Sequence, residues 1–340
     1  MSIRIEIAKD KELWNDVLSK SPNGTIFHSW EWLTLVAKYA RKKIANKVVA
    51  GRFYPLIAFD GDEPIGAFPV FKFRCFGITL LLSPPHGTEN YYMGPIIVYN
   101  KNIKKSKFER RLLDFWKAID EFLQDNFSPS YTLIHTSPGL VDTRFFKWRR
   151  YTVEPRYTYT IDLNVGVEEL WGRLSKSMRR EIRKSKTKFE IREGESKDVK
   201  EIYHRMKERG RIYCTLDYLK KVYEVFHPEN LKIFVAEDRN NIVSGIINLV
   251  YRDKVLFWIG LPKVNSDVSP NGLLLWNSIE WAVNNSYSKY EIMSAEEPEL
   301  FPFKSRFNAE LELIFTARRY SKFLRLILDL KELVVKKNEY

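Results

Sequence analysis

Ser269-Pro270-Asn271-Gly272-Leu273-Leu274-Leu275-Trp276 is the stretch on which the fold turns. Ahead of it, residues 254–261 read as a strand that runs into a loop over 262–270. Pro270-Asn271-Gly272 turns the chain, and an apolar helix starts at once and continues to about residue 284. A strand over 290–293 follows. The N–H groups of a helix's first turn lack intrahelical partners and can hold a phosphate or carboxylate. A proline at the entrance is pre-organised for the turn, and a glycine lets the backbone come close to whatever binds. Asn271, Gly272 and Leu273 are therefore candidate cofactor-binding residues, although an ordinary capped core helix uses the same residues equally well. The sequence has no Gly-rich phosphate loop and no dinucleotide fingerprint, which argues against a nucleotide-hydrolysing or Rossmann enzyme.

Working outward, residues 231–237, 242–251 and 254–261 read as consecutive strands with turns at Asp238-Arg239-Asn240-Asn241 and Arg252-Asp253. Before them come a half-buried strand over 157–163, a very basic helix over 167–188, a short strand over 189–192 and helices over 198–209 and 217–226. After the decisive stretch, 311–316 reads as a strand and 320–335 as a closing helix. The first half is a weaker echo. Ile3, Ile5 and Ile7 alternate as in a strand, Asp10 caps a helix from Lys11, and Ser29 caps one over 30–39. Segments 53–59 and 65–73 form a hairpin about Asp60-Gly61-Asp62, and 82–95 is a Pro- and Gly-rich structured loop. An amphipathic helix over 107–127 and a strand over 131–135 complete it. The expected architecture is α/β, in two related domains, 1–155 and 156–340, each with a mixed central sheet.

The run from Ser269 to Trp276, with Ile279, Trp281 and Ala282, resembles a segment of the Fem-type peptidyltransferases, which add amino acids from aminoacyl-tRNA to cell-wall precursors. It is also similar to related acetyltransferase-fold (GNAT) domains. Phe303-Lys304-Ser305-Arg306-Phe307-Asn308 resembles their Phe-Lys-x-x-Phe-Gly motif, with Asn308 in place of the glycine. Residues 157–163 and 174–184 resemble the family's strand and basic helix, and Phe27-His28-Ser29-Trp30-Glu31-Trp32 its opening motif. Where family members carry Gly and then Tyr-Asp-Phe-Gly-Gly, this chain has Ser288-Lys289-Tyr290-Glu291-Ile292-Met293-Ser294.

The resemblance implies tandem GNAT-like (acyl-CoA N-acyltransferase) domains, the first forming an acceptor cleft and the second holding donor and reaction centre. It implies amide or ester formation from acyl-CoA or aminoacyl-tRNA, with no tightly bound cofactor, onto an amine or hydroxyl acceptor such as a cell-envelope precursor. Such chemistry must align a nucleophile with a carbonyl and stabilise the developing oxyanion. Lys304, the motif lysine, is the first candidate catalytic residue, with a solvated surface lysine as the competing reading. Glu291, where the family tends to carry Asp, either assists proton removal or makes a structural hydrogen bond. On the basic helix, Arg179, Arg183 and Lys186 share a face beside Arg180 and Lys184. Arg179 and Arg183 are candidate contacts for phosphates of tRNA, of a lipid-linked precursor or of a coenzyme, and a merely solvated basic face is the other option. His28 and His86 fall in the first domain, where an acceptor would sit, and Tyr91, Tyr92 and Met93 either line a cleft or pack in the core. His135, His204 and His227 read as structural or exposed, and no residues have metal-ligand spacing or a nucleophile elbow.

The 340 residues carry 56 Lys and Arg against 43 Asp and Glu, a formal charge of +13. That excess favours anionic partners (a cofactor phosphate, a nucleic acid or an acidic membrane surface) without selecting among them. A non-catalytic GNAT-fold protein that binds nucleic acid or a phosphorylated ligand remains the alternative function. Cys75 and Cys214 are the only cysteines, which fits a reducing interior. The amino terminus lacks the apolar run of a signal peptide, and the longest apolar run, 78–82, falls far short of the roughly 20 residues of a membrane helix. A soluble cytoplasmic protein is expected, with contact to the inner face of a membrane as a further option.

Overall fold

The computed structural model describes residues 3–44, 46–98, 103–262, 264 and 267–326. They form two compact units. The first takes the chain up to His86, Asn90–Pro155 and the chain from Leu313 on, and the second takes Gly87–Glu89 and Arg156–Glu312.

In the first unit, β1 (Arg4–Ile7) is followed by α1 (Lys11–Ser19) and α2 (Trp30–Tyr39). Both helices start where a short polar side chain replaces a missing backbone acceptor: Leu13 N–H donates to Asp10 Oδ1 at 2.8 Å and Trp32 N–H to Ser29 Oγ at 3.3 Å. A small hairpin, β2 (Arg41–Ile44) with β3 (Lys47–Ala50), was not legible in its lysine-rich sequence. The strands β4 (Arg52–Asp60), β5 (Glu63–Cys75) and β6 (Ile78–Ser83) are joined antiparallel, the first turn using Gly61 at φ +64°. Then come β7 (Ile96–Ile97), α3 (Lys105–Phe127), β8 (Tyr131–His135) and α4 (Arg144–Trp148). β8 returns parallel to β6, Leu82 opposite Leu133, with α3 as the crossover. Leu112, Phe115, Trp116, Ile119 and Leu123 of α3 bury one stripe in the core of this unit.

The second unit runs through β9 (Thr152–Asp162), α5 (Val167–Arg173), α6 (Lys176–Lys186), β10 (Glu190–Glu193), α7 (Ser196–Glu208) and α8 (Leu216–Phe226). It continues with β11 (Leu231–Asp238), β12 (Asn241–Tyr251), β13 (Lys254–Gly260), α9 (Asn271–Asn284), β14 (Lys289–Ile292), α10 (Phe301–Lys304) and β15 (Glu310–Tyr320). Its sheet has the order β9-β14-β13-β12-β11-β10, in which β13 and β14 are parallel and all other neighbours antiparallel. The helix expected over 167–188 is two helices. Leu174 is buried, Ser175 N–H donates to Arg306 O at 3.0 Å, and Ser175 Oγ caps α6 by accepting from Met178 N–H at 3.1 Å. α9 packs on one sheet face against Phe234, Ile246, Val255 and Ile292. The opposite face carries Gly245 of β12, where an added Cβ would lie 2.6 Å from Ile202 of α7.

The second domain expected over 156–340 does not keep its end. From Leu313 on, β15 belongs to the first unit, paired antiparallel with β8 from Thr316–His135 to Tyr320–Tyr131. The reason is a polar anchor. Asp120 of α3, 2% exposed, accepts from Arg149 Nε at 2.8 Å, from Arg319 Nη1 at 3.1 Å and from the Tyr151 hydroxyl at 2.9 Å. The Arg319 guanidinium also lies over the Tyr151 ring, 4.4 Å from its centroid. Of the expected closing helix over 320–335, residues 322–326 are helical and those from 327 on lie outside the described residues.

Asp120→Ala leaves two guanidinium groups and a buried hydroxyl without their acceptor. It is expected to lower unfolding free energy by about 2–4 kcal/mol, read as a drop in the urea midpoint. An unchanged midpoint would show that Asp120 does not anchor β15.

Candidate functional site

Parallel pairing of β13 with β14 holds only from Lys254–Lys289 to Phe257–Ile292. β13 runs on to Gly260, still paired with β12 on its other side, Gly260 opposite Ile246. β14 stops, and the chain turns away at Ser294, whose φ is +61°. The two strands therefore part at their carboxyl ends, the place where open α/β layers receive ligands. Gly260 fixes the parting: a Cβ there would lie 2.3 Å from Gly245 O, so only glycine lets β13 follow β12 this closely. A shift of register between Ile247 and Asn248 of β12 accompanies it.

α9 begins beside this opening. Asn271 Nδ2 donates to the carbonyls of Leu261 and Pro262 at 3.2 and 3.1 Å, and its Oδ1 accepts from Ser244 Oγ at 2.7 Å. The side chain thus shapes the loop that delivers the helix. Ser185 of α6 pins the same loop from the other side, donating to Ser269 O at 2.8 Å. Gly272 is where α6 crosses α9: an added Cβ would lie 2.7 Å from Met178 Sδ. Leu273 is 4% exposed and packs in the core. The first-turn N–H groups of Gly272 and Leu273 precede the first intrahelical bond, Leu274 N–H to Pro270 O at 2.9 Å.

On α6 the basic residues divide by task. Arg179 Nη1 donates to Gly172 O at 2.6 Å and Trp171 O at 3.2 Å, closing the carboxyl end of α5. Arg183 is exposed and lies over the Trp171 ring, 5.7 Å from its centroid. Arg180, Lys184 and Lys186 are exposed and make no ion pair among the described residues. Glu181, by contrast, accepts from Arg306 of the Phe-Lys-x-x-Phe stretch at 2.6 Å.

Lys304 is 4% exposed, so the reading of a solvated surface lysine does not hold. Its Nζ donates to Ser294 O at 2.8 Å and to Met293 O, gripping the turn that carries the chain away from β14. Burial lowers its pKa to about 8, with the Glu297 carboxylate pulling the other way. A neutral amine still has two N–H groups, one for each carbonyl. Glu291, 5% exposed, accepts from Thr158 Oγ1 at 2.7 Å. By strand alternation it lies on the sheet face away from α9, because its neighbour Tyr290 faces α9. Ser278 donates to the Tyr290 hydroxyl at 2.9 Å, and that hydroxyl donates to Asn248 Oδ1 at 2.7 Å.

The structure also brings in a residue the sequence reading missed. Glu89 accepts at Oε1 from the N–H groups of Tyr213 and Cys214, at 2.6 and 2.8 Å, and its carbonyl accepts from Trp258 Nε1 at 2.7 Å. It lies in a Pro- and Gly-rich stretch more than 120 residues from these partners, and no spacing signals the pairing. Burial raises its pKa, the two N–H bonds and Lys207 opposing. Cys214 is buried, and burial with the nearby Glu89 charge pushes its thiol up, away from a nucleophile's range. His28 is buried in the first unit with Nε2 2.6 Å from Met93 O and Nδ1 3.0 Å from Thr25 Oγ1, while His86 is exposed. Tyr92 and Met93 are fully buried there. Among the described residues, no group of His, Cys, Asp or Glu is placed to hold a metal ion.

Residues 172–305 match the model of the acetyltransferase (GNAT) domain. A search of curated proteins found no match. Among solved structures the chain is similar to FemX, at TM-score 0.65 and 13% identity, over 93% of this chain and 97% of that one. It is similar to L-PGS from Bacillus licheniformis, at 0.52 and 13%, over 95% and 96%. It is also similar to a tandem GNAT protein from the clavulanic acid biosynthesis pathway, at 0.52 and 10%, over 93% and 98%. At these identities the likeness is one of fold. The fold is the α/β, GNAT-like one with mixed sheets that the motif order implied, and residues 172–305 are the part of it that is similar to an acetyltransferase domain.

Because burial disfavours the Lys304 ammonium in the folded chain only, the unfolded chain binds that proton more tightly. Stability therefore rises as pH climbs from about 8 towards the ordinary 10.5. The difference in unfolding free energy between wild type and Lys304→Met is expected to move in favour of the wild type by about 2 kcal/mol between pH 8 and 10. Parallel urea titrations measure it, and a constant difference would contradict the burial.

Proposed function

We propose that this chain is an acyltransferase that moves an activated acyl group onto an amine or hydroxyl, with the donor's reactive end at the parting of β13 and β14. The observation that carries the reading is that parting, with the start of α9 beside it, inside the segment matched by the acetyltransferase domain model. The parted strands make room for an acyl arm, and the first turn of α9 offers Gly272 and Leu273 N–H groups to negative charge. Lys304 acts here as a positioning residue: by holding the Met293 and Ser294 carbonyls it keeps the end of β14 clear of the opening. Glu291 holds Thr158 on the neighbouring strand and fixes the opposite wall.

Acyl-CoA and aminoacyl-tRNA are the two donors this arrangement serves. Both present an acyl carbonyl next to a phosphate-bearing body, and Arg180, Arg183, Lys184 and Lys186 of α6 are the cations available for those phosphates. A tRNA would engage several at once, and a coenzyme only one or two. The chain is proposed to work in the cytoplasm, where both donors are made; among the described residues no helix is long and apolar enough to cross a membrane.

The test is binding and transfer with acetyl-CoA and with a pool of aminoacyl-tRNA at two salt concentrations. Arg180→Ala with Lys184→Ala is expected to weaken aminoacyl-tRNA binding about tenfold and to flatten its salt dependence by nearly two phosphate contacts, while acetyl-CoA affinity changes less than threefold. Lys304→Met is expected to cut the transfer rate about 10–100-fold with donor affinity nearly unchanged. Salt-dependent tRNA binding without discrimination of the charged form, and no transfer from either donor, would replace the enzyme with a non-catalytic binding protein.

A further inference from the structure

Gly87–Glu89 comes from the first half of the sequence yet is built into the second unit. Thr88 and Glu89 are both tied down there. Thr88 is fully buried and its carbonyl accepts from the Tyr218 hydroxyl of α8 at 3.0 Å. Glu89 takes φ +51°, a conformation a glutamate rarely adopts, and its carbonyl accepts from the Trp258 indole. Trp258 is the β13 residue immediately after Phe257, where pairing with β14 ends. The backbone of Glu89 is thus fastened to the strand at the point of parting. Its carboxyl group is fastened too, but on one side only: Oε1 takes both the Tyr213 and Cys214 N–H groups, while Oε2 accepts no hydrogen bond among the described residues. The residue is half-buried, whereas Glu291 is buried.

We propose that Glu89 is the proton acceptor of the acyl transfer. This rests on the acyltransferase reading above. As the acceptor nitrogen or oxygen bonds to the acyl carbon, its proton passes to Glu89 Oε2. The bond from that carbon to the donor's sulfur or ribose oxygen breaks, and the proton moves on to the departing thiolate or alkoxide. The carboxylate is restored and no further reactant is consumed. The charged and titratable groups about Glu89 are Lys207 of α7, the Cys214 thiol and, bonded to the neighbouring Thr88 carbonyl, the Tyr218 hydroxyl, with the neutral Trp258 indole on the β13 side and Tyr213 contributing only its backbone N–H. Desolvation outweighs Lys207 and the two N–H bonds, which makes the carboxylate a stronger base than an exposed glutamate.

Glu89→Gln separates this role from a structural one, because the amide oxygen still accepts both N–H groups but cannot take the proton. Transfer from acetyl-CoA and from aminoacyl-tRNA to a panel of primary amines is measured across pH 5–9, beside donor affinity and melting temperature. The expected result is a rate at least 100-fold lower in Glu89→Gln with donor affinity and melting temperature kept, and loss of the acidic limb of the pH–rate profile. A Gln variant within threefold of wild type, with the same limb, would overturn the proposal and leave the acyltransferase reading standing. Wild-type protein that transfers from neither donor would overturn both. If the Gln variant does not fold, the wild type decides: the carboxyl carbon-13 resonance of Glu89, identified with Glu89→Asp, should titrate together with the acidic limb, and titration apart from it overturns the proposal.

Discussion

Beyond Phe257, β13 follows β12 and leaves β14. Two local facts enforce this, and the site depends on both. Gly260 lets the backbone come so close to Gly245 that no larger residue fits. Lys304, buried and bonded to the Met293 and Ser294 carbonyls, holds the chain after β14 in the turn that takes it elsewhere. A parallel pair that stayed zipped would have no opening at its carboxyl end, and α9 would begin beside a closed sheet. Ser244, Asn271, Ser185 and Ser269 then fix the loop from β13 to α9, so the helix starts where the strands separate.

Much of this fold is written in local chemistry. The alternation of 231–261, the Asp-Gly-Asp hairpin, the Asp10 and Ser29 caps and the Pro270-Asn271-Gly272 turn each act within a few residues, and each appears where the sequence puts it. The misses are long-range. At Leu174 and Ser175 the only local mark of a break is the Ser175 cap, and the other bond at the break, Ser175 N–H to Arg306 O, comes from more than 130 residues away. The return of β15 to the first unit depends on Arg319 meeting Asp120, 199 residues apart.

The site divides the same way. Motif order led to Lys304, Glu291 and the start of α9, all of which the structure gathers near the end of β14 and β13. Their tasks were not legible, because whether a lysine is exposed or grips two carbonyls depends on burial rather than spacing. Asn271 and Arg179 look like ligand contacts in sequence and spend their hydrogen bonds on loop and helix-end carbonyls. Glu89 had no signature at all.

The central claim is that the parted ends of β13 and β14 receive the donor. Amide hydrogen exchange of the whole chain with and without acetyl-CoA, and with and without aminoacyl-tRNA, tests it most directly. One of the two donors should slow exchange at 258–261 and 271–274 together. Protection confined to other segments, or none with either donor, would contradict it.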